Sequence, residues 1–236
     1  MRLRWATRSD TGQVRPHNED AVWPRPGSGD SDETMIVAVA DGMGGHVGGE
    51  IASRTAIETA TSVGGTAAIR VQAANLAVLD EAGQRPRLTG MGTTLTLAII
   101  SPEGSVEVGH VGDSRAYLLR GGDLEQITED HSYVSEMIAS GRLTPEEAEV
   151  HPYRSVVTRA IGLEPSVEVD TLDLDLEEGD RLLLCSDGLT AMLDDAAITE
   201  ILDSHGDPGA AAEALVDAAN QRGGDDNITV VVVDAE

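Results

Sequence analysis

Four aspartates stand beside glycine or asparagine at the ends of strand-like apolar runs: Asp41, Asp113, Asp187 and Asp226. A strand end fixes the backbone, and a neighbouring glycine permits a tight turn and close approach of a ligand. Carboxylates that converge on one point repel each other unless cations lie between them. Their hard oxygens favour Mg²⁺ or Mn²⁺ over zinc. The pattern predicts a divalent-metal site, although Asp-Gly is also common in turns, and spacing alone leaves a sandwich with capped strand ends equally open.

The elements that must position these aspartates are mainly strands. The alternation in 94–99 and in 172–177 predicts antiparallel strands with one solvent face. Continuous apolar runs predict more deeply buried strands: Met35–Ala40, Leu182–Cys185 and Ile228–Val233. The runs 106–111 and 116–119 flank the turn 112–114, which predicts that they are neighbouring strands.

Helices are fewer and fall between the strand groups. Apolar spacing predicts helices over Glu50–Thr61, Ala67–Ala82 and the segment after Asp207-Pro208, and Thr144 begins a capping-box pattern. This order favours antiparallel sheets covered by helices over a regular parallel fold. The polar stretch from His131 to Arg159 interrupts the strand pattern and predicts a mobile subdomain.

Composition narrows the class of protein. The 236 residues suit one large domain with its own core, and the formal net charge is −26, with every basic residue an arginine. So negative a surface argues against binding nucleic acid or anionic lipid. The single cysteine excludes an internal disulfide framework, and there is no apolar run of membrane-spanning length and no signal-peptide pattern. We therefore expect a soluble, cytoplasmic protein.

Seven short motifs occur along the chain: Ser9–Gly12 with Arg15–Ala21, Asp41–Gly45, Gly90–Leu95, Val111–Arg115, Thr158–Gly162, Ser186–Leu189 and Asp226–Thr229. Together they resemble the motifs of the bacterial members of the protein phosphatase 2C, or PPM, family. They occur in the family's order from about Thr7 to Val233, so that the resemblance covers nearly the whole chain. No single motif is decisive, but seven in register are highly specific.

The resemblance implies an α+β fold, a four-layer α-β-β-α sandwich of two antiparallel sheets flanked by helices. It implies one domain over 1–236 with a flap at about 131–160 that selects peptide substrates. The implied activity is that of a serine/threonine protein phosphatase, in which water activated by two metal ions hydrolyses phosphoserine and phosphothreonine. The Met43 variant of the second motif implies a bacterial origin.

The resemblance also assigns the metal ligands, with Mn²⁺ or Mg²⁺ as the ions. Asp41 would bridge two ions that share a water, and the carbonyl of Gly42 would bind one of them. Asp187 and Asp226 would bind the other ion. Asp113, together with Asp187, would hold a third and weaker ion.

Four further residues complete the implied site. Glu19 and Asp20 would act nearby through bound water. Arg15 matches the phosphate-binding arginine of the family, with a surface ion pair as the alternative. Animal members carry a histidine proton donor where Met43 stands here, and a thioether cannot donate a proton, so His46 and a metal-bound water are rival general acids. Cys185 lies in an apolar run, which predicts a core residue rather than a nucleophile.

Partners follow from the same resemblance. We expect a monomer that acts on phosphorylated proteins, with a Ser/Thr kinase and its substrates as partners and with no nucleic acid or membrane contact. Three alternatives stay open: a pseudophosphatase that binds phosphoproteins without turnover, a two-metal phosphodiesterase, and an acidic protein that only binds cations.

Overall fold

Strands rich in Val, Leu and Ile dominate the chain, which a computed structural model describes for residues 1–44 and 47–236, apart from the side chain of Glu149. The strands are β1 Leu3–Asp10, β2 Ala21–Trp23, β3 Gly27–Ser31, β4 Met35–Ala40, β5 Gly42–Met43, β6 Gly92–Thr93, β7 Leu95–Ile100, β8 Ser105–Val111, β9 Arg115–Arg120, β10 Asp123–Gln126, β11 Asp170–Asp175, β12 Arg181–Cys185 and β13 Ile228–Ala235. The helices are α1 Val47–Ser62, α2 Ala67–Gln84, α3 Tyr133–Ala139, α4 Pro145–Glu149, α5 Asp187–Thr190, α6 Asp195–Ser204 and α7 Pro208–Gln221, with a 3₁₀ turn at Pro86–Leu88.

Two antiparallel sheets pack face to face between helical layers. The first sheet has the order β10-β9-β12-β13-β1-β3 and the second the order β11-β8-β7-β4-β2, while β5 and β6 form a short ribbon. One apolar core lies between the sheets, a second between the second sheet and α1 and α2, and a third between the first sheet and α5 to α7. This is the four-layer α+β sandwich that the sequence resemblance implied.

The strand register brings the predicted site residues to one rim of the sandwich. In the first sheet Asp10 at the end of β1 pairs with Ile228 at the start of β13, next to Cys185 at the end of β12. In the second sheet Ala40 at the end of β4 pairs with Ala21 at the start of β2. The loops that carry Asp20, Asp41, Asp187 and Asp226 leave these strand ends, so they meet above the sheets.

Most predicted elements are confirmed. The strands Met35–Ala40, Leu182–Cys185 and Ile228–Val233 appear as β4, β12 and β13, and the first two predicted helices as α1 and α2. Asp207 caps α7 by accepting from the Ala210 amide at 3.0 Å, and the Thr144 capping box begins α4.

Two expectations were wrong, one from the alternation in 94–99 and one from the apolar runs that flank the turn 112–114. Strand β7 has no wet face, because Leu95 and Leu97 pack under the helices while Ala98 and Ile100 face the other sheet. Strands β8 and β9 are not neighbours, since β8 belongs to the second sheet and β9 to the first. The turn 112–114 therefore carries the chain from one sheet to the other, which places Asp113 where the two sheets meet.

None of the helices within 1–44 and 47–236 combines the length and the apolar composition needed to cross a membrane.

Candidate active site

Carboxylates from five separate loops gather at the rim where the two sheets meet. Asp113 is buried, with 8% of its surface exposed, and Asp20, Asp41 and Asp187 are half-buried. Their negative charges repel one another. The Asp41 carboxyl group is repelled by Asp20, Asp187 and Asp113, and the Asp187 carboxyl group by Asp226. The structure thus brings together the aspartates that the sequence singled out.

This crowding opposes ionisation of the carboxyl groups. Burial, followed by the charges of neighbouring aspartates, raises the pKa of Asp20 and the pKa of Asp113 to about 7. The same two causes raise the pKa of Asp41 well above its ordinary value, and burial also raises the pKa of Asp187. A cluster of carboxyl groups that resists its own ionisation is a strong attractor for divalent cations.

Two carboxylate oxygens of the cluster, Oδ1 of Asp20 and Oδ1 of Asp187, are buried without a hydrogen-bond partner among the residues that the structure describes. Buried polar atoms are ordinarily paired, so each of these needs a further ligand. Within 1–44 and 47–236, no set of three or more histidine, cysteine or acidic side chains already stands in a metal-ligand arrangement. The fit to a hard divalent ion therefore rests on the unpaired oxygens, the all-oxygen donor set and the mutual repulsion of the aspartates.

The Gly90–Leu95 motif holds the backbone of Asp41. The amide of Asp41 donates to Oγ1 of Thr94 at 2.9 Å, and its carbonyl accepts from the Thr94 amide at 2.9 Å and from Oγ1 of Thr93 at 2.8 Å. Both threonines are fully buried. The motif thus fixes the strand end from which the central aspartate projects.

Asn227 ties the loop of Glu19 and Asp20 to the start of β13. Its Oδ1 accepts from the Glu19 amide at 2.8 Å, and its Nδ2 donates to the carbonyls of Thr11 and His17, each at 2.9 Å. The hydroxyl of Ser186, the residue before Asp187, donates to Oδ2 of Asp20 at 2.8 Å. Asn227 and Ser186 were missed as site residues, although both lie in quoted motifs beside a predicted ligand.

Two glycines let the Glu19 loop touch helix α1. A Cβ on Gly49 would lie 1.9 Å from Oε2 of Glu19, and a Cβ on Gly42 would lie 2.2 Å from the carbonyl oxygen of Gly49. The Gly42 amide donates to the Glu19 carbonyl at 3.2 Å. Any side chain at either glycine would push Glu19 away from the rim. Gly49 was not singled out from the sequence.

Arg15 lies at the mouth of the site in an ion pair with Asp226. The Arg15 side chain is 52% exposed and that of Asp226 is 31% exposed. The other carboxylate oxygen of Asp226, Oδ1, accepts from the Asn227 amide at 2.9 Å. The surface ion pair that the sequence left as the alternative for Arg15 is therefore present, but its partner is itself a predicted metal ligand.

The remaining predicted residues fall outside this network. His46 lies outside the described residues. Met43 belongs to the β5–β6 ribbon and offers no proton. Cys185 is fully buried in the core under α5 to α7, where burial raises the pKa of its thiol to about 12, so it is no nucleophile.

Comparison with known proteins agrees with this geometry. The protein phosphatase 2C family model matches residues 13–218. The chain is 40% identical to the serine/threonine phosphatase stp of Listeria innocua, over 96% of this chain and 94% of the relative. It superposes on the crystal structure of the Mycobacterium tuberculosis serine/threonine phosphatase PstP/Ppp with a TM-score of 0.90 and 41% identity, over all of both chains. It also superposes on the PstP catalytic domain in complex with two manganese ions, with a TM-score of 0.86 and 38% identity over all of both chains. The chain belongs to the protein phosphatase 2C family.

Proposed function

We propose that this chain is a metal-dependent phosphatase that hydrolyses phosphoserine and phosphothreonine in proteins. The observation that carries the proposal is the cluster of aspartates at the sheet rim, with raised pKa values and two unpaired buried oxygens. Relatives about 40% identical over nearly the whole chain are named serine/threonine phosphatases. The cluster and the family together favour hydrolysis of a phosphate ester.

The ligands that we propose for the metal ions are all oxygen donors. Asp41, the carbonyl of Gly42, Asp187 and Asp226 would hold the two ions, and Glu19 and Asp20 would act nearby through bound water. Asp113 and Asp187 would hold a third, weaker ion. Mn²⁺ or Mg²⁺ suits such a donor set, and a solved relative contains two manganese ions. When bound, such ions lower the pKa of a water and offset the charge that develops at phosphorus.

The residues of the chain hold the carboxylates in position, and Arg15 supplies a positive charge for the phosphate. Ser186 and Asn227 bind Asp20 and the Glu19 loop, and Thr94 binds the Asp41 backbone, so hydrogen bonds hold these carboxylates at the rim. Arg15 orients the substrate, since a guanidinium can bind two phosphate oxygens at once. To do so it exchanges its contact with Asp226 for the phosphate, and its exposed side chain is free to swing.

The proton for the leaving oxygen comes from His46 or from solvent at the metal site. An imidazole titrates near neutral pH and suits the task. The variant His46→Gln decides between the two donors. If His46 is the acid, the alkaline limb of the kcat profile disappears and kcat falls most for substrates with a poor leaving group. An unchanged profile assigns the role to solvent.

The segment 131–160 is our candidate for a substrate-selecting flap. It contains α3 and α4 outside the four layers, and its exposed apolar side chains include Val150 at 80% and Tyr153 at 58%. Such a surface suits contact with a peptide on either side of the phosphorylated residue. Exchanging 131–160 for the segment of a relative tests this, and unchanged selectivity over a phosphopeptide panel would refute it.

The partners that we propose are phosphorylated cytoplasmic proteins, among them a Ser/Thr kinase and its substrates, and we propose that the chain works as a monomer. The single free cysteine suits a reducing compartment. Light scattering at working concentration tests the monomer. Co-purification with a phosphorylated kinase domain, compared with its dephosphorylated form, tests the partner.

One experiment separates this function from its rivals. Hydrolysis of a phosphothreonine peptide is followed during a Mn²⁺ titration for the wild type, for Asp226→Asn and for Asp123→Asn, a control that removes an exposed charge from β10. We expect turnover that requires Mn²⁺, survives in the control and collapses in folded Asp226→Asn. Peptide binding without turnover would indicate a pseudophosphatase, and preference for bis-nitrophenyl phosphate would indicate a phosphodiesterase.

A further inference from the structure

His131 binds both backbone polar groups of the residue that precedes Asp113. The Gly112 amide donates to Nδ1 of His131 at 3.0 Å, and the His131 amide donates to the Gly112 carbonyl at 2.8 Å. His131 is buried, with 7% of its surface exposed. The position of Gly112, and with it the direction in which the Asp113 carboxyl projects, therefore depends on both the imidazole ring and the backbone amide of His131.

The other side of His131 contacts the far end of segment 131–160. The His131 carbonyl accepts from the Thr158 amide at 2.8 Å. Asp170 contacts Nε2 of His131 at 3.1 Å through Oδ2 and accepts from Nη1 of Arg159 at 2.6 Å through Oδ1. His131 thus joins the Asp113 turn to both ends of the candidate flap.

Nδ1 of His131 accepts from Gly112, because a backbone amide can only donate. Nε2 lies between Oδ2 of Asp170 at 3.1 Å, which accepts, and Nη1 of Arg159 at 2.8 Å, which can only donate. A neutral ring that accepts at Nδ1 carries its proton on Nε2, where Asp170 is the acceptor and Arg159 is a competing donor. The ring of His110 packs behind at 4.8 Å between centroids and is itself held by Thr96 at 2.9 Å. The imidazole has no room to flip without breaking these contacts.

The opposite face of the turn is closed by Thr94. Gly112 has a φ of +115°, and a Cβ there would lie 2.5 Å from Cβ of Thr94. Oγ1 of Thr94 lies 2.7 Å from Oγ of Ser114, on the other side of Asp113. The turn is therefore held between Thr94, which also holds Asp41, and His131. A shift of His131 is therefore a direct route by which the flap end can move Asp113.

We propose that His131 is a positioning residue, which determines the position of the Asp113 carboxyl group through Gly112. Because His131 also contacts the far end of segment 131–160, that position depends on how this segment packs against the sheets. The proposal rests on the proposed function, in which Asp113 holds the weaker ion. It assigns His131 no contact with substrate and no proton transfer. Its effect falls on kcat and on the weakest metal-binding step, rather than on peptide binding.

Two amide substitutions divide the contacts of His131. The amide oxygen of Asn lies near the position of Nδ1, so His131→Asn keeps an acceptor for the Gly112 amide and loses the contact with Asp170. The amide nitrogen of Gln lies near the position of Nε2, so His131→Gln keeps the contact with Asp170 and loses the hydrogen bond from the Gly112 amide. Both remove one ring from the same buried place, which makes each the control for the other in stability.

We expect His131→Gln to lower kcat about 10- to 100-fold at constant KM, the effect of a misplacement of about 1 Å. His131→Asn should keep most of the wild-type kcat, and both variants should melt at similar temperatures. Calorimetric titration of Mn²⁺ should show the weakest binding step reduced in His131→Gln only. Equal loss of kcat in the two variants, or a loss that follows only the unfolded fraction, would overturn the proposal.

Nuclear magnetic resonance of ¹⁵N-histidine-labelled protein without added metal gives a readout independent of turnover. We expect His131 in the form protonated at Nε2, and an upfield shift of the Gly112 amide proton in His131→Gln but not in His131→Asn. A proton on Nδ1 would overturn the proposal. If the wild type hydrolyses no phosphopeptide, the proposed function fails, and the calorimetric comparison of the two variants still decides the role of His131.

Discussion

Oγ1 of Thr94 accepts a hydrogen bond from the Asp41 amide at 2.9 Å. The same oxygen lies 2.7 Å from the hydroxyl of Ser114, so one side chain links the loop of Asp41 to the turn of Asp113. Because Asp41 leaves the second sheet and the turn crosses between the sheets, Thr94 sets the spacing of two aspartates that come from different parts of the chain.

Thr94→Val tests this link, since valine keeps the shape of threonine and loses the hydroxyl. The buried Asp41 amide then lacks a partner, which should cost about 1–3 kcal/mol of folding free energy. We also expect a lower kcat and weaker Mn²⁺ binding, measured by steady-state kinetics and calorimetry. Thr171→Val, on the exposed face of β11, is the matched control and should change neither. Unchanged Mn²⁺ binding in Thr94→Val would show that Asp41 is held without it.

The pH dependence of stability should reveal the aspartate cluster before any metal is added. Asp20 and Asp113 have folded pKa values of about 7 against 3.8 for the free side chain. The folded state therefore holds more protons than the unfolded state between about pH 4 and 7, and stability falls as the pH rises through this window. Metal-free Asp20→Asn should be more stable than the wild type at pH 7.5, by on the order of a few kcal/mol, and equal to it near pH 4.

Chemical denaturation at a series of pH values checks this expectation. Asn can still accept from Ser186, so the variant removes the charge and keeps that contact. Saturating Mn²⁺ should abolish the fall in wild-type stability between pH 4 and 7, because a ligand that binds only the folded state stabilises that state. A wild type that gains stability from pH 4 to 7 as strongly as Asp20→Asn would contradict the raised pKa values.

Gly49→Ala should be destabilising although it lies in helix α1. Alanine ordinarily stabilises a helix relative to glycine, but here its Cβ would lie 2.7 Å from the backbone carbonyl oxygen of Gly42, besides 1.9 Å from Oε2 of Glu19. We expect a loss of about 1–3 kcal/mol together with weaker Mn²⁺ binding. Gly83→Ala in α2 has open space around its Cβ and should instead gain about 0.5–1 kcal/mol. Urea denaturation measures the free energy of unfolding of both variants. A change of the same sign in the two would contradict the close approach of Glu19 to α1.

Arg15→Gln should separate phosphate binding from stability. The pair of Arg15 with Asp226 is half-exposed, so its loss should cost under about 1 kcal/mol. Loss of the charged hydrogen bonds to phosphate should raise KM for a phosphopeptide, and the inhibition constant of inorganic phosphate, about 10- to 100-fold. Arg54→Gln breaks a comparably exposed pair with Glu50 and should leave both constants unchanged. A fall in kcat alone would assign Arg15 a different role.

The sequence predicted the site better than it predicted the contacts that support it. Asp41, Asp113, Asp187 and Asp226 could be found because aspartate at a strand end beside glycine or asparagine is a local pattern. The hydrogen-bond partners of Asn227 and Ser186 could not be found in this way. Their hydrogen bonds join residues that lie 208 and 166 positions apart along the chain.

The fold errors have a similar cause. Alternation in β7 indicated a wet face because Thr96 is polar, yet Thr96 is buried against His110, a partner from the next strand. The turn at Gly112 looked like a hairpin because both flanking runs are apolar. Whether such a turn joins neighbours or crosses between sheets depends on layer packing, which local spacing does not encode.

Strand β13 is buried along its whole length and lies between β12 and β1, so the first and last strands in chain order pair with each other. Asp226 and Asn227 come directly before it. A ribosome-bound chain that has not yet reached this strand lacks the centre of its first sheet and two residues of the site at once. We therefore expect a nascent chain to gain activity only after β13 has been synthesised.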